Sequence, residues 1–287
     1  MKISVVTPSY NQGVFIERTL DSVAKQTGGE IEHVVFDGGS TDETVGVLER
    51  FRGPLRWVSE KDRGQTHAVN KGIAATDGEI IGWLNSDDVY FDGAIAAVVA
   101  YFEAHPEVDV LYGMADHIDR DDRAFEPYPT EPWNFERLKD TCFICQPATF
   151  FRRRVIERHG ALDETLNYCM DYEFWLRLAK AGVRFGYLEQ RLAGSRLYAE
   201  NKTLGDRIKV HAEINDMQKA LFGRVQDRWI WNYAHAVTEP RIRREQHPRL
   251  FALLLLLSVS AASLRWNGSL SPGGRKGVAD LRRRLRI

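Results

Sequence analysis

The chain has 287 residues, of which 44% are hydrophobic and 28% are charged, and its formal net charge is -1. This composition is that of a globular protein with one large core or two smaller ones, and it excludes a mainly disordered chain. The near-neutral charge gives no broad basic field that could hold a phosphate backbone, so we expect no nucleic-acid partner.

The cysteines and the N-terminus indicate the compartment. Cys142, Cys145 and Cys169 are too few for a disulfide framework, which favours a reducing environment. Cys142 and Cys145 have the spacing of a zinc-ligand pair, but no second pair or nearby histidine completes a four-ligand site, so buried thiols are the favoured interpretation. The N-terminus lacks the basic start and long apolar segment of a signal peptide. We therefore expect a cytoplasmic location.

The first half of the chain predicts a parallel α/β sheet, because short β-branched runs alternate with helical patterns. The expected strands are residues 3–6, 31–36, 55–58, 80–84 and 110–114. Helices are expected around residues 16–23, 48–51, 69–73 and 95–102. Ser40 with Glu43 forms a capping-box pattern for the second helix, and Asp92 is expected to cap the fourth. Beyond about residue 116 the alternation ends, which indicates a second lobe.

Polar clusters follow three of these strands, at residues 7–11, 37–42 and 85–88. Each cluster alone could be an ordinary turn. The ligand crevice of an open α/β sheet lies outside the carboxyl ends of its strands, so we expect the clusters to converge there. The sequence therefore predicts a ligand site at this edge.

Two adjacent carboxylates, Asp87 and Asp88, come directly after the apolar run IIGWL. Their mutual repulsion needs a cation or hydrogen-bond donors to offset it, and Mg²⁺ or Mn²⁺ would do so. A solvated Asp-Asp turn is the alternative. The position after a buried strand favours the metal.

The segments TPSYN, FDGGSTDET, SEKDRGQTHAVNKG, ATDGEIIGWLNSDD and CMDYEFWLRLAKAG lie within residues 3–182. In their order and spacing they resemble the family 2 glycosyltransferases. The resemblance implies the α/β GT-A fold, which is a Rossmann-like nucleotide-binding sheet with an acceptor-side lobe, here followed by a helical tail. We expect a nucleotide-sugar-binding part at 1–115, an acceptor and catalytic-base part at 116–225, and a helical, membrane-associating part at 226–287.

The resemblance also implies which residues hold the donor. Thr7, Pro8 and Tyr10 would line the nucleoside pocket, and Asp37 would hydrogen-bond the base, commonly uracil. A UDP-sugar is therefore the expected donor. Packing is the alternative role for Tyr10.

In the NSDD segment, Asp87 resembles the residue near the ribose and the metal, and Asp88 resembles the main metal ligand. Asn85 stands where many relatives have aspartate, which bears on the coordination. Tyr198 stands where a histidine of the diphosphate or metal site is expected.

Two basic residues, Arg63 and Lys71, flank the helix predicted after Gly64. Either could meet the donor diphosphate through a charge-assisted contact. Solvated surface positions are the alternative for both.

Asp171 begins a helical pattern with Phe174, Trp175 and Leu178 on its own side. A helix N-cap is one interpretation of this aspartate. The family resemblance implies another, in which Asp171 takes the proton from the acceptor hydroxyl and the reaction inverts the anomeric carbon. Met170 occupies a place where relatives often carry glutamate.

Glu173 and Gln146 are the acceptor-binding candidates. An exposed helical glutamate is the alternative for Glu173, and no spacing singles out Gln146. The expected acceptor is a saccharide or a lipid-linked saccharide.

The C-terminal tail contains an uncharged run at residues 250–264, followed by the arginine-rich segment RKGVADLRRRLRI. The run is shorter than the roughly 20 residues of a spanning helix, and a basic amphipathic helix suits an anionic membrane surface. We expect peripheral attachment to the inner face of the cell membrane. A core helix packed on the domain is the alternative.

Taken together, the residues and the family resemblance imply an inverting, metal-dependent glycosyltransferase of polysaccharide or glycolipid assembly. The alternatives are a sugar-nucleotide pyrophosphorylase-like enzyme and an inactive nucleotide-sugar-binding protein. The segment TPSYNQG lacks the Gly-rich, Arg-containing loop of the first alternative, and retention of all the acidic residues argues against the second.

Overall fold

A computed structural model describes residues 1–198, 206–270 and 273 of the chain. The chain divides into two compact units. The first comprises Met1–Phe135 and Cys142–Tyr198, and the second comprises Glu136–Thr141 and Ala199–Ile287. The functional division at residues 115 and 225 stays a prediction.

The first unit is built on one mixed sheet, with nine strands in the part of the chain that the structure describes. The strands are β1 Lys2–Ser9, β2 Glu30–Asp37, β3 Arg56–Ser59, β4 Ile80–Trp83, β5 Val89–Tyr90, β6 Val110–Ile118, β7 Ala124–Pro127, β8 Thr149–Arg152 and β9 Phe185–Arg196. Their order is β3-β2-β1-β4-β8-β6-β9-β5, and β7 pairs with β6.

The N-terminal half of the sheet is parallel, as the alternation predicts. Strand β1 pairs in parallel with β2 and β4, and β2 pairs in parallel with β3. The register sets Ser9 beside Asp37 and Asp37 beside Ser59. The carboxyl ends of these strands therefore share one edge, and the expected convergence of the polar clusters is confirmed.

Helices of the first unit follow the strands. They are α1 Ile16–Ala24, α2 Thr44–Arg50, α3 Gln65–Ala74, α4 Ala94–Ala104, α6 Arg153–His159 and α7 Met170–Lys180, with a short 3-10 turn at Gln146–Ala148. The intervening helix α5, Phe135–Asp140, belongs to the second unit except for its first residue. The apolar stripe of α1, formed by Ile16, Leu20 and Val23, is buried as its spacing predicts.

Both expected caps are wrong. Helix α4 begins after Gly93, whose φ of 75° places it in the left-handed region, and no side chain caps the helix. Helix α2 begins after Glu43, and no side chain caps it. The Ser40 hydroxyl instead donates to Asp37 and accepts the Asn11 amide. The serine stabilises the loop and not the helix.

The second half of the sheet is mixed. Strand β8 pairs antiparallel with both β4 and β6, and β6 pairs in parallel with β9. Strand β9 has no clear sequence signal because its middle carries exposed charged and polar residues, Glu189, Gln190 and Arg191. Large aromatic side chains fill the core beside β8, including Phe150, Phe151, Phe174 and Trp175.

The second unit contains three further helices among the described residues, α8 Arg207–Phe222, α9 Asp227–Thr238 and α10 Pro248–Asn267. Helix α9 packs against both α8 and α10. Of the described helices, α10 alone is long and apolar enough to cross a membrane, and 33% of its apolar window is buried. The expected uncharged run is therefore a helix that packs along one side. The basic segment 275–287 lies outside the described residues.

Candidate functional site

The loop after β2 is organised by Asp37, which is only 2% exposed. Its Oδ2 accepts the backbone N–H groups of Gly39 at 3.1 Å and Ser40 at 2.9 Å, and the Ser59 hydroxyl at 2.6 Å. Its Oδ1 accepts the Ser40 hydroxyl. Asp37 thus lies at the expected edge, but its oxygens bind the loop.

The residues expected to line the nucleoside pocket are exposed to different degrees. Thr7 and Pro8 are buried, and the Thr7 hydroxyl lies 3.0 Å from Nε2 of His33. Burial lowers the pKa of His33 to about 3, so this histidine is neutral at physiological pH. Tyr10 is 61% exposed, so it can offer a ring to a ligand at this edge.

Asn85 is the centre of the hydrogen bonds around the acidic loop. Its Oδ1 accepts Nε1 of Trp83 at 2.9 Å and Nε2 of Gln65 at 2.8 Å. Its Nδ2 donates to Oδ2 of Asp88 at 3.2 Å and to Oε1 of Gln146 at 2.8 Å. An aspartate at position 85 would have no N–H to donate, so only the amide of Asn85 can make the bonds to Asp88 and Gln146.

Asp88 is buried, with only 4% of the residue exposed. Its Oδ1 accepts the backbone N–H of Arg196 at 2.8 Å. The Thr19 hydroxyl supports the same loop by donating to the carbonyl oxygens of Ser86 at 3.0 Å and Asp88 at 2.7 Å. Burial and the neighbouring charge of Asp87 raise the pKa of Asp88.

Asp87 is partly exposed, unlike its neighbour. Its Oδ2 accepts the hydroxyl of Tyr198 at 2.9 Å, and the Tyr198 ring lies 5.1 Å from that of Phe15. Burial raises the pKa of Asp87 as well. The tyrosine that replaces the expected histidine therefore contacts the acidic pair directly.

A buried arginine, Arg196, also contacts the acidic loop. The sequence did not single it out, because it lies on β9, a strand that the sequence pattern does not predict. Its Nε donates to the carbonyl oxygen of Asp87 at 2.6 Å, and its Nη2 pairs with Asp122. Its guanidinium lies 4.8 Å from the centroid of the Phe15 ring. The charge of Arg196 lowers the pKa of Asp87 and Asp88, which partly offsets burial.

The acidic pair fits a hard divalent cation. Within the described part of the chain, no cluster of three or more His, Cys, Asp or Glu residues could enclose a metal. Mg²⁺ often takes only one or two carboxylates and completes its shell with phosphate and water. The two residues differ in their surroundings: Asp87 is partly exposed, whereas Asp88 is buried and both of its oxygens accept hydrogen bonds from the protein.

Asp171 is the second residue of α7 and does not cap it, since the residue before the helix is Cys169. The carboxylate is partly buried, and its Oδ1 accepts the backbone N–H of Tyr172 at 2.8 Å. Burial raises the pKa of Asp171 to about 6. The apolar residues that share its face, including Phe174 and Trp175, are buried.

Strand β8 links α7, which carries Asp171, to the strand that leads into the acidic loop. Phe150 of β8 stands beside Gly82 of β4, just before the acidic loop. The next residue, Phe151, contacts Phe174 of α7, with ring centroids 5.4 Å apart. The acidic loop and Asp171 are therefore carried by elements that pack on the same strand of the first unit.

Both predicted diphosphate ligands are paired with carboxylates of the chain. Arg63 pairs with Glu164, and its side chain is 68% exposed. Lys71 pairs with Glu60, and its Nζ lies 5.1 Å from the centroid of the Phe36 ring. Each would have to exchange its partner to meet a phosphate.

The two acceptor candidates have internal partners. Glu173 is 6% exposed and accepts Nε of Arg177 at 2.8 Å. Gln146 is 8% exposed, and it donates to the carbonyl of Trp83 while accepting from Asn85. Gln146 thus supports the acidic loop, and Glu173 stabilises α7.

The sequence comparisons identify the family of the chain. A model of glycosyl transferase family 2 matches residues 4–160, and one of glycosyl transferase family group 2 matches residues 131–272. A glycosyltransferase of Mycobacterium tuberculosis (strain CDC 1551) is 34% identical over 182 residues, 62% of this chain and 68% of its own. One of Nostoc sp. is 31% identical over 176 residues, 57% of this chain and 54% of its own. The chain thus spans about half of the latter relative.

Solved structures share the fold. S. aureus TarS in complex with UDP-GlcNAc has a TM-score of 0.62 and 18% identity, over 98% of this chain and 88% of that one. A mannosyltransferase from Pyrobaculum calidifontis in complex with GDP-Man and Mn²⁺ has a TM-score of 0.60 and 20% identity, over 97% of this chain and 78% of that one. The chain belongs to glycosyl transferase family 2 and is a glycosyltransferase with the GT-A fold.

Proposed function

We propose that this glycosyltransferase is an inverting, metal-dependent enzyme that moves a sugar from a nucleotide-diphosphate donor to an acceptor hydroxyl. The observation that carries the proposal is that β8 pairs with β4, which leads into the acidic loop, and also contacts α7, which carries Asp171. The acidic loop can hold a cation at the leaving diphosphate, and Asp171 can take the proton from the acceptor hydroxyl. A UDP-sugar is the preferred donor, and the acceptor is a saccharide or lipid-linked saccharide in polysaccharide or glycolipid assembly. Structural neighbours in complex with UDP-GlcNAc and with GDP-Man support the donor class.

The donor lies at the shared carboxyl edge of β1, β2, β3 and β4 in this proposal. Tyr10 offers an exposed ring there, while Thr7, Pro8 and Asp37 shape the backbone beneath it. The diphosphate is directed towards the acidic loop.

Asp87 would hold the divalent cation in the proposed enzyme, with Asp88 behind it as the residue that fixes the loop. A bound Mg²⁺ or Mn²⁺ supplies positive charge to the departing diphosphate. The Mn²⁺ complex of the mannosyltransferase neighbour supports this use of a metal. Tyr198 and Arg196 orient the Asp87 segment through the contacts at its side chain and carbonyl.

Asp171 would act as the general base. Its ionised carboxylate takes the proton from the acceptor hydroxyl as that oxygen attacks the anomeric carbon, and the bond to the diphosphate breaks on the opposite face. A pKa of about 6 suits this role, because a base works best when its pKa lies near the operating pH. Oδ1 is held by the Tyr172 amide, so Oδ2 is the atom available to the proton.

Peripheral membrane attachment through α10 extends the proposal to the location of the enzyme. Four leucines, Leu250, Leu253, Leu257 and Leu264, are 40% to 58% exposed along this helix. Their spacing of three, four and seven places them on one side, opposite the buried side chains. Exposed arginines precede the helix, at Arg241, Arg243 and Arg244, and Arg249 lies in its first turn. Such a combination suits an anionic lipid surface that the helix lies on, at the cytoplasmic face.

A donor screen tests the proposed function. UDP-, GDP- and dTDP-sugars are incubated with the protein and Mg²⁺ or Mn²⁺, and release of the nucleoside diphosphate is measured. We expect metal-dependent release from at least one sugar nucleotide. Release that is equally fast in EDTA, with no metal carried over, would contradict the metal assignment. No release from any donor would favour the inactive binding protein.

A further inference from the structure

The acceptor sugar needs binding groups besides Asp171, because the two candidates from the sequence are engaged inside the protein. Glu173 and Gln146 are both buried and bind Arg177 and Asn85, respectively. Groups that hold the acceptor must reach the surface near the acidic loop, on the side away from the donor. The hairpin formed by β6 and β7 meets these conditions.

This hairpin lies beside the acidic loop. Strands β6 and β4 both pair antiparallel with β8, so their carboxyl ends share one edge of the sheet. His117, near this end of β6, stands beside Ser195 of β9. The next residue of β9, Arg196, donates its backbone N–H to Asp88. Neighbouring strands lie about 5 Å apart, so the backbone of His117 is about 10 Å from the Asp88 carboxylate.

The strand order places the hairpin opposite the donor. The proposed donor edge comprises the ends of β1, β2, β3 and β4, whereas β6 and β9 lie beyond β8, on the other side of β4. A group bound at the end of β6 therefore approaches the acidic loop from the side away from the nucleoside.

A β-bulge in the hairpin brings Phe125 onto His117. Glu126 pairs with His117, and Ala124 pairs with the next residue of β6, so β7 carries one extra residue at this point. That residue is Phe125. A bulge re-aims a side chain, and bulges are frequent next to active sites. The rings of Phe125 and His117 stack, with their centroids 6.2 Å apart and 19° between their planes, and we call this pair the ring platform.

The ring platform is open to solvent and has a carboxylate at its margin. Phe125 is 53% exposed, and the Tyr128 ring extends the aromatic surface, with its centroid 5.2 Å from that of His117. Glu126 is exposed and makes no hydrogen bond or ion pair with the residues that the structure describes. Cross-strand partners share a face of the sheet, so its carboxylate stands beside the His117 ring.

An aromatic surface with an unpaired carboxylate fits a sugar ring. The C–H groups on the face of a pyranose are attracted to the negative face of an aromatic ring. Its hydroxyl groups can donate to a carboxylate, which only accepts hydrogen bonds. A hydrocarbon chain fits less well, because it would cover the charge of Glu126 without a hydrogen bond.

We propose that the ring platform binds the penultimate sugar of the acceptor, with Glu126 accepting its hydroxyl groups, so that the acceptor is a saccharide of at least two sugars. The roughly 10 Å between His117 and Asp88 leaves room for the terminal sugar, whose hydroxyl loses its proton to Asp171. This inference rests on the proposed function, because it names the acceptor class of the same site.

The test measures binding to an array of synthetic mono-, di- and trisaccharides, in Mg²⁺ and the nucleoside diphosphate that the donor screen selects. We expect the wild type to bind a set of di- or trisaccharides. Phe125→Ala should bind the same glycans about tenfold more weakly with an unchanged thermal melt, and Phe125→Trp should retain them. Monosaccharides should not distinguish Phe125→Ala from the wild type.

Two further variants sharpen the test. Glu126→Gln keeps the shape of the side chain but removes its charge, and it should weaken the same glycans about fivefold through a weaker hydrogen bond. Ile208→Ala is the matched control, since it removes an apolar side chain that is 40% exposed on α8. It should bind the array as the wild type does.

Several outcomes would overturn the inference. The wild type could bind no di- or trisaccharide, or Phe125→Ala could bind them as tightly as the wild type. An equal loss for monosaccharides and longer glycans would also contradict it, because a site for the penultimate sugar acts only on the longer ones. Failure of the wild type to release a nucleoside diphosphate from any donor would instead contradict the proposed function, and the donor screen detects this separately.

Discussion

Neighbouring carboxylates in this site differ in their exposure and in the hydrogen bonds that they already accept from the protein. Asp87 and Asp88 are adjacent, yet Asp87 is partly exposed, and Asp88 is buried and held by Arg196 and Asn85. The family resemblance implies that Asp88 is the main metal ligand, whereas the hydrogen bonds that Asp88 already accepts lead us to propose Asp87. The ranking depends on contacts with β9, which is remote in sequence.

The ranking predicts different effects for two substitutions. Asp87→Asn keeps an acceptor for Tyr198, so we expect a normal melt, but no increase in Tm when UDP and Mg²⁺ are added together. Asp88→Asn should lower the free energy of unfolding by about 1–3 kcal/mol. The new N–H₂ group would face either the Arg196 N–H or the Asn85 N–H₂, which are both donors.

Thermal melts with UDP, with and without Mg²⁺, measure both effects, and the wild type in EDTA is the control. A normal Mg²⁺-dependent increase in Tm for Asp87→Asn would contradict its role as the metal ligand. A stable Asp88→Asn protein would contradict the structural role of Asp88.

The pKa of Asp171 predicts the pH dependence of transfer. The base must be ionised, and burial raises its pKa to about 6. Turnover should therefore fall about tenfold per pH unit below 6 and level off above about pH 7. A profile of kcat between pH 5 and 8 checks this, and a midpoint near pH 4 would mean that Asp171 is not buried as described or is not the base.

The same shift affects stability in the opposite sense. The folded carboxylate has the higher pKa, so its stabilising proton is fully present below the unfolded value of 3.8 and is lost as pH rises through about 6. Asp171→Asn should therefore gain stability over the wild type, on the order of 1–3 kcal/mol, at pH 7 and above. Unfolding at pH 4 and pH 8 measures this difference.

At the scale of elements, the sequence predicts the parallel half of the sheet well. Its strands are β-branched runs that end in polar turns, so both the elements and their shared edge are readable. The second half is less readable, because β9 mixes exposed charges with buried residues and pairs with the distant β6. The predicted cap at Ser40 was wrong for a related reason. Its hydroxyl donates to Asp37, and this contact depends on the folded loop and is not visible in the sequence pattern.

The site shows the same limit. The acidic loop and Asp171 could be placed from their position after strands and on a helix face. The role of Arg196 could not, because it acts through a contact with Asp87 on another element. Asp37 was found at the right edge, but its bonds to Ser40 and Ser59 become visible only when the strands are aligned.

For the whole molecule, α10 combines the two interpretations of the tail. Phe251, Leu255 and Val259 are buried in the second unit, while another side of the helix is exposed. Removal of residues 249–287 would therefore uncover the interior of this unit. Point substitutions on the exposed side are the cleaner test of membrane attachment.

We expect the double substitution of Leu253→Glu with Leu257→Glu to abolish flotation with phosphatidylserine vesicles, because it places charge in the lipid interface. The melt and donor hydrolysis should stay unchanged. Gln246→Glu is the control, since it adds one exposed negative charge just before the helix. Equal flotation of the variant would rule out the leucine side as the anchor. A lost cooperative melt or a smaller particle by gel filtration would show that another part of the fold or a second copy covers it.

The central claim is that one site binds the donor through the strand edge and takes the acceptor proton with Asp171. Asp171→Asn separates the two, because the amide keeps the shape and the Tyr172 contact but cannot accept the proton. Donor affinity by calorimetry and kcat for transfer should be measured on the same preparation. We predict unchanged donor affinity with kcat lowered by about two to four orders of magnitude. A donor affinity that falls as far as kcat would contradict the account, since Asp171 would then belong to the donor pocket.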